Sequence, residues 1–429
     1  MDKLACALNE ILEKTPVYSM LSDYGKRMYV PKGIIVQSAE AKQKAKRYNA
    51  TIGIALEKGV AMHIPAMKAQ FAPSMSVSEI FPYAPMGGVL ALRQKWLEEM
   101  RLKNPDLKDA NLSNPVVCNG LTNALSLVFS LFVDKDESVV LPSMYWENYD
   151  LIITEQRQAK KIFFDNYDSN GGFNVEGLDK AIESAQGEKV TVLLNFPNNP
   201  TGYTPTFNEA EAIKDVLVKH ANKGKKIIYI SDDAYFGLFF EKDTNTQSLF
   251  AKLYNAHENI LAVKCDASTK EEMVWGFRVA FITYASKGLG AEALDALVQK
   301  TMGAVRGTLS NCSMSAQNIL LKGMSDPDYH KDKKEGIEKI RARYVILRKA
   351  LEEHKDSKAL EVYPFNSGYF MSFKTKCRAE DLRQKLLNDY ETGTICLGEH
   401  LLRLAFSSVD DENIPGLVDT VYKAAEELC

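Results

Sequence analysis

Short apolar runs alternate with helical stretches through the middle of the chain, and this alternation constrains the fold more than any other feature. Residues 190–194 are β-branched and aliphatic and stop abruptly in Asn, Pro and Gly, which predicts a buried strand. Similar runs at 226–231, 260–265 and 278–284 predict further strands. Strands that alternate with helices indicate an α/β fold, with a mostly parallel sheet, right-handed crossovers and helices on both faces.

The C-terminal part of the chain has a different pattern. A long, charged helical stretch runs from about residue 315 to 354. The strands predicted after it, with helices between and after them, lie at 360–364, 368–373 and 401–406. At 429 residues the chain also exceeds what one compact core usually holds. We therefore expect a large domain at 61–324 and a smaller α+β domain formed by 1–60 and 325–429.

Composition and charge argue against several classes of partner. The 53 basic and 56 acidic residues are interspersed, so the net charge of -3 gives no reason to expect binding to nucleic acid or to a membrane. The longest apolar stretch, at 125–133, is too short to span a bilayer. The first ten residues include acids where a secretory signal needs an apolar core.

The cysteines and histidines point to a reducing compartment without a metal site. The seven cysteines are odd in number and scattered, which is typical of free thiols. The six histidines are equally dispersed, and none pairs at the spacing of metal ligands. We therefore expect a cytoplasmic protein that binds no metal.

The loop after residues 190–194 carries the most specific motif. Its sequence is Asn195-Phe196-Pro197-Asn198-Asn199-Pro200-Thr201-Gly202. The two prolines fix the backbone on either side of Asn199 and so hold its side-chain amide in one orientation. This string resembles the N-x-P-x-N-P-T-G signature of the class I and II aminotransferases, which are pyridoxal-phosphate (PLP) enzymes of fold type I. The resemblance implies a mostly parallel seven-stranded sheet, PLP as cofactor, and an amino acid and a 2-oxo acid as substrates.

Lys270 would be the lysine that holds PLP as a Schiff base and moves the substrate proton. Arg278 follows it by eight residues at the end of a Gly-x-Arg motif, a spacing similar to that of the family's lysine loop. Arg278 would bind the cofactor phosphate with its two-pronged guanidinium group. Many relatives have a serine three residues before the lysine, where this chain has Ala267, which leaves Ser268 or Thr269 to supply the hydroxyl.

Asp232 would keep the ring nitrogen of the cofactor protonated, because an anion beside that nitrogen stabilises its charged form. Asp233 is the competing choice, but the family's spacing to Tyr235 favours Asp232. Asn199 and Tyr235 would hydrogen-bond the phenolic oxygen of the cofactor. The resemblance thus implies a catalytic set of Lys270, Asp232 and Tyr235.

Two further loops complete the implied cofactor site. A short strand, a glycine and the start of a helix form an anion site, because free backbone N-H groups point at the turn. In the resembled family this turn cradles the phosphate, and Leu121 and Thr122 occupy it here. An aromatic side chain would stack on the cofactor ring. Trp146, three residues before Tyr149, fits the family's pattern, and Tyr145 is the alternative.

The substrate would contact residues from several segments. Arg403 matches the family's arginine that grips the α-carboxylate from the small domain. Asn199 would also face the substrate. Gly53 lies in a segment with turn chemistry, where a ligand can approach the backbone closely.

Two residues imply a homodimer with shared active sites. Tyr83 precedes Gly88 by five residues, the spacing at which the family's tyrosine reaches the phosphate of the neighbouring subunit. Arg306 lies in a stretch resembling the one that supplies a second arginine, from the other subunit, to a distal carboxylate. That role would make glutamate and 2-oxoglutarate one substrate pair, whereas a surface ion pair is the plainer explanation of a lone arginine.

These residues together predict a PLP-dependent aminotransferase that works by a ping-pong mechanism in amino acid metabolism. One alternative is a PLP-dependent C-S β-lyase or related eliminating enzyme, which would use the same Lys270 and Asp232. Another is a non-catalytic, ligand-sensing relative. Such regulators carry a DNA-binding domain ahead of the aminotransferase-like part, and a non-catalytic relative would more plausibly have lost the lysine.

Overall fold

The structure is a computed structural model, which describes residues 1–13, 23–27, 33–71 and 75–429. The α-helices in these ranges are α1 (Lys3–Leu12), α2 (Asp23–Arg27), α3 (Ile34–Lys44), α4 (Pro65–Ala69), α5 (Val77–Ile80), α6 (Leu90–Lys103), α7 (Leu121–Phe132), α8 (Val175–Ser184), α9 (Phe207–Asn222), α10 (Leu249–Leu253), α11 (Ser268–Glu271), α12 (Ala291–Thr308), α13 (Met314–Met324), α14 (Tyr329–Glu352), α15 (Ala379–Asp389) and α16 (Ile414–Leu428). A π-helix spans Asp150–Gln156.

Strands in the same ranges form one large sheet and three smaller ones. They are β1 (Tyr48–Asn49), β2 (Leu56–Glu57), β3 (Val60–Ala61), β4 (Val116–Asn119), β5 (Ser138–Pro142), β6 (Lys160–Phe164), β7 (Lys189–Asn195), β8 (Lys226–Asp232), β9 (Ile260–Ala267), β10 (Val279–Ala285), β11 (Leu360–Val362), β12 (Phe370–Thr375), β13 (Thr392–Gly393), β14 (Ile395–Leu397) and β15 (Leu401–Ala405). The seven strands of the large sheet have the order β4-β10-β9-β8-β7-β5-β6.

The large sheet is mostly parallel, as predicted. Neighbours from β6 to β9 pair in parallel, and β10 alone runs antiparallel to its neighbours β9 and β4. Almost every residue of β5, β7, β8 and β9 is buried, because helices such as α7 and α9 pack against the sheet and remove it from water. The parallel strands place the Asn195 loop, Asp232 and the turn after Ala267 at neighbouring strand ends.

Smaller sheets lie beside the large one, and both ends of the chain contribute strands to them; we call this region the small domain, and its division from the large domain stays a prediction. Its antiparallel sheet has the order β11-β12-β15-β14 and packs with α15 and α16. The N-terminal strand β1 pairs in parallel with β13, where Tyr48 lies opposite Thr392. The helix α14 spans 24 residues and contacts α16, a helix of this domain, as well as α4. The boundaries near residues 60 and 325 stay predictions.

One pair of cysteines contradicts the prediction of free thiols. Cys377 and Cys429 form a disulfide, with their Cα atoms 5.0 Å apart. They are 52 residues apart in sequence, and only the packing of α16 beside the small sheet brings them together. Because disulfides persist in oxidising compartments, this pair removes the cysteine argument for a reducing compartment. None of the described helices combines the length and the apolar character needed to cross a membrane.

Candidate active site

A cavity of about 230 Å³ opens where β7, β8 and β9 end. Its lining comes from six separate segments: Leu121, Thr122, Trp146, Asn195, Asn199, Asp232, Ala234, Tyr235, Thr269, Lys270 and Arg278. All the predicted cofactor-binding residues line this cleft except Ser268 and Tyr83. A larger cavity of about 620 Å³ lies between the end of α14 and the strands β11 and β12, and contains none of the predicted site residues.

Asp232 lies at the floor of the cleft as the last residue of β8. The Tyr149 hydroxyl donates to its Oδ2, while Asn195 Nδ2 (3.2 Å) and the Ala234 backbone N-H (3.1 Å) donate to its Oδ1. Burial raises the pKa of Asp232 to about 6, although the bonds from Tyr149 and Ala234 and the charge of Lys270 oppose the rise. The Asp232 carboxylate is therefore held in one orientation, in which it can accept a hydrogen bond from a positively charged group.

Lys270 presents its amine to the same cleft from α11. Its Nζ lies 4.8 Å from the centre of the Tyr235 ring and donates no hydrogen bond to the described part of the chain. Burial lowers the pKa of Lys270 to about 8, with Asp232 opposing this effect and Arg278 adding to it. About a tenth of the amine is therefore uncharged at pH 7 and about half at pH 8, and the uncharged form is the one that acts as a nucleophile or proton acceptor.

The turn before α7 forms a cradle with Arg278. Gly120 has φ 81° at the N-terminus of α7, where helix N-H groups attract anions. A Cβ at Gly120 would lie 2.2 Å from Arg278 Nη2, so only glycine lets the guanidinium approach this turn. Thr269 Oγ1 is buried in the cleft without a hydrogen-bond partner among the described residues. Ser268 instead donates to the Val279 backbone oxygen at 3.0 Å, outside the lining of the cleft.

Trp146, rather than Tyr145, lines the cleft. The Tyr145 ring stacks on Phe163 at 5.4 Å, and its hydroxyl donates to Asp150 at 2.8 Å. Trp146 packs edge-on against Tyr149, with ring centres 5.5 Å apart. The placement agrees with the first of the two sequence-based alternatives for the stacking aromatic.

Arg403 reaches the Asn199 loop from the small domain. Its Nη1 donates to Asn199 Oδ1 at 2.8 Å and its Nη2 to the Thr51 backbone oxygen at 3.3 Å. The guanidinium lies 4.2 Å above the Phe370 ring. Burial lowers the pKa of Arg403 to about 10, and its Nε has no partner among the described residues. A Cβ at Gly53 would lie 3.4 Å from Phe370, so little room remains on that side of the pocket.

Tyr83 and Arg306 lie outside the cleft of their own chain. Tyr83 is 88% exposed. Arg306 is exposed near the end of α12, where its Nη1 donates to Ser310. Neither position contributes to a site within one subunit.

The sequence-based prediction missed several contributors to the site, three of which act through their side chains. Tyr149 and Asn195 hydrogen-bond Asp232, and Glu147 interacts electrostatically with Arg403. Burial is the main cause that raises the pKa of Glu147. The first two had a signal, because Asn195 opens the loop motif and Tyr149 stands three residues after Trp146. Glu147 had none, since only the folded chain brings it near Arg403.

The sheet topology, the half-buried lysine and the buried aspartate at its strand ends and the anion cradle together define a class of protein, the PLP enzymes of fold type I. Residues 60–421 match the sequence model of the aminotransferases of class I and II, and the chain belongs to this family.

Similar proteins agree with this assignment. The aspartate aminotransferase of Bacillus subtilis is 27% identical over 155 residues, which cover 36% of each protein. A probable aspartate/prephenate aminotransferase of Aquifex aeolicus is 26% identical over 81% of this chain and 84% of its own length. Among the first curated relatives, the matched segments span only 36% to 56% of the relative.

Solved structures share the fold. An aminotransferase from Anaerococcus prevotii superimposes with a TM-score of 0.85 at 23% identity, over 95% of this chain and 99% of its own. The aspartate aminotransferase of Thermus thermophilus with maleate superimposes with a TM-score of 0.74 at 17% identity, over 94% and 99%. At these identities the likeness concerns the fold alone.

The class I and II aminotransferases use PLP, and the residues of this cleft fit that group. The cradle offers Arg278 and the N-H groups of the first turn of α7 to a phosphate, since the first N-H groups of a helix have no partner within it. The Thr269 hydroxyl there has no partner among the described residues. Asp232 offers an oriented carboxylate to a protonated ring nitrogen. Lys270 offers an amine whose pKa is low enough for covalent attachment.

Proposed function

We propose that this chain binds PLP and transfers an amino group between an L-amino acid and a 2-oxo acid. The observation that carries the proposal is that one cleft contains both the hydrogen-bonded Asp232 carboxylate and the Lys270 amine, which has no hydrogen-bond partner among the described residues. When bound, PLP supplies an electron sink that makes the proton on the substrate Cα removable.

Binding of the cofactor would use residues from three strand ends. Arg278 and Thr269 would hold the phosphate with the N-H groups at the start of α7, near Leu121 and Thr122. Asp232, held by Tyr149 and Asn195, would keep the proton on the ring nitrogen. Trp146 would cover the ring and exclude water from it.

Binding of the substrate would depend on Arg403, whose guanidinium is fixed by Asn199 and the Phe370 ring. A fixed guanidinium orients a carboxylate through two parallel hydrogen bonds. Lys270 Nζ would then take the proton from the substrate Cα, and would return a proton in the second half of the reaction. Tyr235 and Asn199 would hydrogen-bond the phenolic oxygen of the cofactor and hold it in register with Lys270.

The test is a product assay on purified protein supplied with PLP, a panel of amino acids and 2-oxoglutarate. A transaminase produces glutamate together with the 2-oxo acid of the donor. A β-lyase releases ammonia and pyruvate instead, and a ligand-sensing relative changes the absorbance of bound PLP without any product. Either of the last two outcomes would contradict the proposed reaction.

We further propose a homodimer in which each subunit contributes to the other's site. The surface around Tyr83 is unusually apolar for an exposed one, with Phe81 75% and Val77 73% exposed. Such a patch is typical of a face that another subunit covers, and Tyr83 would then reach the neighbouring phosphate. Sedimentation at micromolar concentration tests this, since a fully active monomer would exclude shared sites.

We also propose glutamate and 2-oxoglutarate as one substrate pair. Arg306 is exposed and hydrogen-bonds Ser310, an uncharged partner, so its charge can pair with a carboxylate in the partner's cleft. The decisive measurement is kcat/KM for glutamate in the wild type and in Arg306→Ala, with alanine as the monocarboxylate control. A large loss confined to glutamate supports the pairing, because the distal carboxylate is then left unpaired. An equal, small loss for both substrates would exclude it.

A further inference from the structure

A group of buried charged side chains adjoins the turn that carries Lys270. We call it the anchor cluster; its members are Lys103, Glu271, Glu272, Tyr329 and Lys333. Glu271 and Glu272 directly follow Lys270 and are 3% and 0% exposed. Lys333, on α14, donates from its Nζ to Glu271 Oε1 at 2.7 Å and to Glu272 Oε1 at 2.8 Å. Among the described residues, it alone contacts both carboxylates.

The other two members each hold one carboxylate. Lys103, at the end of α6, donates to Glu271 Oε1 at 2.7 Å, and the Tyr329 hydroxyl donates to Glu272 Oε1 at 2.8 Å. Burial opposes the charge on Lys333, but Glu271 and Glu272 outweigh that effect and raise its pKa above the usual value. The cluster is therefore a charged network and not a set of neutral polar groups.

The Lys270 turn is short and depends on outside contacts for its orientation. Its backbone bonds are local, such as Glu272 N to Ser268 O at 2.9 Å and Met273 N to Lys270 O at 3.2 Å. A helix of four residues has too few such bonds to hold itself against unfolding. α14 packs closely here, because a Cβ at Gly336 would lie 2.7 Å from the Met273 side chain.

α14 is also hydrogen-bonded to the small domain, through Arg343, which lies ten residues after Lys333. Arg343 Nε donates to Asp411 Oδ1 at 3.0 Å, and its Nη1 donates to the Ser407 backbone oxygen. Ser407 follows β15, the strand that carries Arg403. About 15 Å of continuous helix thus separates the contact to the Lys270 turn from the contact near the Arg403 strand.

We propose that Lys333 is a positioning residue that holds the Lys270 turn through Glu271 and Glu272, so that α14 fixes the Lys270 amine relative to Arg403. The importance of this position for turnover rests on the proposed function, but the position itself can be measured without turnover. Lys333 does not touch the cleft lining, so its effect must pass through the turn.

The test is Lys333→Met in protein freed of PLP. The pKa of Lys270 is read from the pH dependence of its labelling by an amine-reactive reagent, and the mobility of residues 268–274 from hydrogen exchange. Loss of the anchor admits water to the amine and leaves uncompensated negative charge nearby, and both effects raise the pKa of Lys270, by about one unit. Exchange in the turn should speed up about tenfold.

The other groups that act on the Lys270 amine stay in place in this variant. They are Asp232 on β8, Arg278 after the turn, and the Tyr235 ring. Lys333→Arg should restore the wild-type values, since it keeps the charge and the hydrogen bonds. Lys339→Met is the matched control, because it removes an exposed lysine of the same helix that pairs with Glu57 at 2.9 Å.

A wild-type pKa and wild-type exchange in Lys333→Met would show that the turn holds itself, and would overturn the proposal. Should that variant fail to fold, Glu272→Gln/Lys333→Met removes both charges of one pair and leaves Glu271 with Lys103. It loses the anchor without a charge imbalance, so only the part of the rise that comes from water access is expected, together with the faster exchange in the turn, and the absence of both is equally decisive. A chain that shows the rise but does not transaminate would contradict only the proposed function.

Discussion

Two lysines lie six residues apart in this chain, the buried Lys264 and the half-buried Lys270, and they differ in whether a carboxylate is bonded to the amine. Lys264, on β9, donates to Asp233 and lies 3.2 Å from Asp266. Burial would lower its pKa, but these two carboxylates outweigh burial and raise the pKa above its usual value. Lys270 has no hydrogen-bonded partner among the described residues, and burial lowers its pKa to about 8.

Asp232 and Asp233, which are neighbours in sequence, also differ in whether they form an internal ion pair. Asp232 faces the cleft, whereas Asp233 accepts from Lys264 and from the Ser248 hydroxyl at 2.7 Å. Successive residues at a strand end point to opposite faces, so one acid is left for a ligand and the other is used by an internal ion pair. Removal from water therefore makes a lysine reactive only where no carboxylate is bonded to its amine.

The largest expected effect comes from removing the amine of the cleft. Lys270→Ala should lower transaminase turnover by at least about a thousandfold and abolish the absorbance band of lysine-bound PLP, because proton transfer at the substrate Cα loses its base. The folded state should remain, since no ion pair is broken. Wild-type turnover in this variant would place the base elsewhere.

Lys264→Met, in contrast to Lys270→Ala, should have a large effect on the stability of the folded state. Its loss leaves Asp233 and Asp266 without their shared cation, which should lower the free energy of unfolding by about 3–5 kcal/mol. Urea denaturation of the PLP-free protein measures this. The double variant Asp233→Asn/Lys264→Met should recover part of the loss, because it removes one of the stranded charges. Stability equal to that of the wild type in the single variant would show that the pair is not structural.

Lys270 and Lys264 should also contribute to the pH dependence of stability with opposite signs. Between the folded pKa of Lys270, about 8, and its ordinary value of 10.5, the unfolded chain binds a proton that the folded chain has released. Stability attributable to Lys270 therefore rises with pH across this window, by at most about 3 kcal/mol. The raised pKa of Lys264 acts in the other direction: its contribution is complete below its unfolded pKa and is lost only as pH rises through the folded one.

The check is to compare the unfolding free energies of the wild type and Lys270→Met at about pH 8 and pH 10, without PLP. The difference in unfolding free energy between the two proteins should shrink as the pH rises, or change sign so that the wild type becomes the more stable one. A gap that stays constant would mean that the Lys270 amine keeps its proton over the whole range.

The smallest effect concerns the hydrogen bonds that orient the cleft carboxylate. Tyr149→Phe removes the hydroxyl that donates to Asp232 and should lower turnover about tenfold, equivalent to about 1.4 kcal/mol. Tyr145→Phe is the matched control, because its hydroxyl contacts Asp150 away from the cleft. Equal activity in the two variants would show that the Tyr149 bond does not tune Asp232.

Most of the large sheet was predictable from single stretches of sequence, because its central strands are buried on both faces and read as apolar runs. The edge strand β6 was not predicted. It begins with two lysines and has only β5 as a neighbour, so its sequence lacks the apolar pattern of a buried strand. The disulfide between Cys377 and Cys429 was equally hidden, since 52 residues separate its partners.

Motifs such as Asn195–Gly202 and the lysine loop depend on local spacing, so the family, the fold class and the segments that supply the cleft can be predicted from the amino-acid sequence alone. Spacing favoured Asp232 over Asp233 and Trp146 over Tyr145 but left Ser268 and Thr269 open, and the folded chain places Asp232, Trp146 and Thr269 in the cleft. The reason is physical. A side chain's direction, its water access and its charged neighbours depend on strands and helices that are distant in sequence, and no local pattern records them.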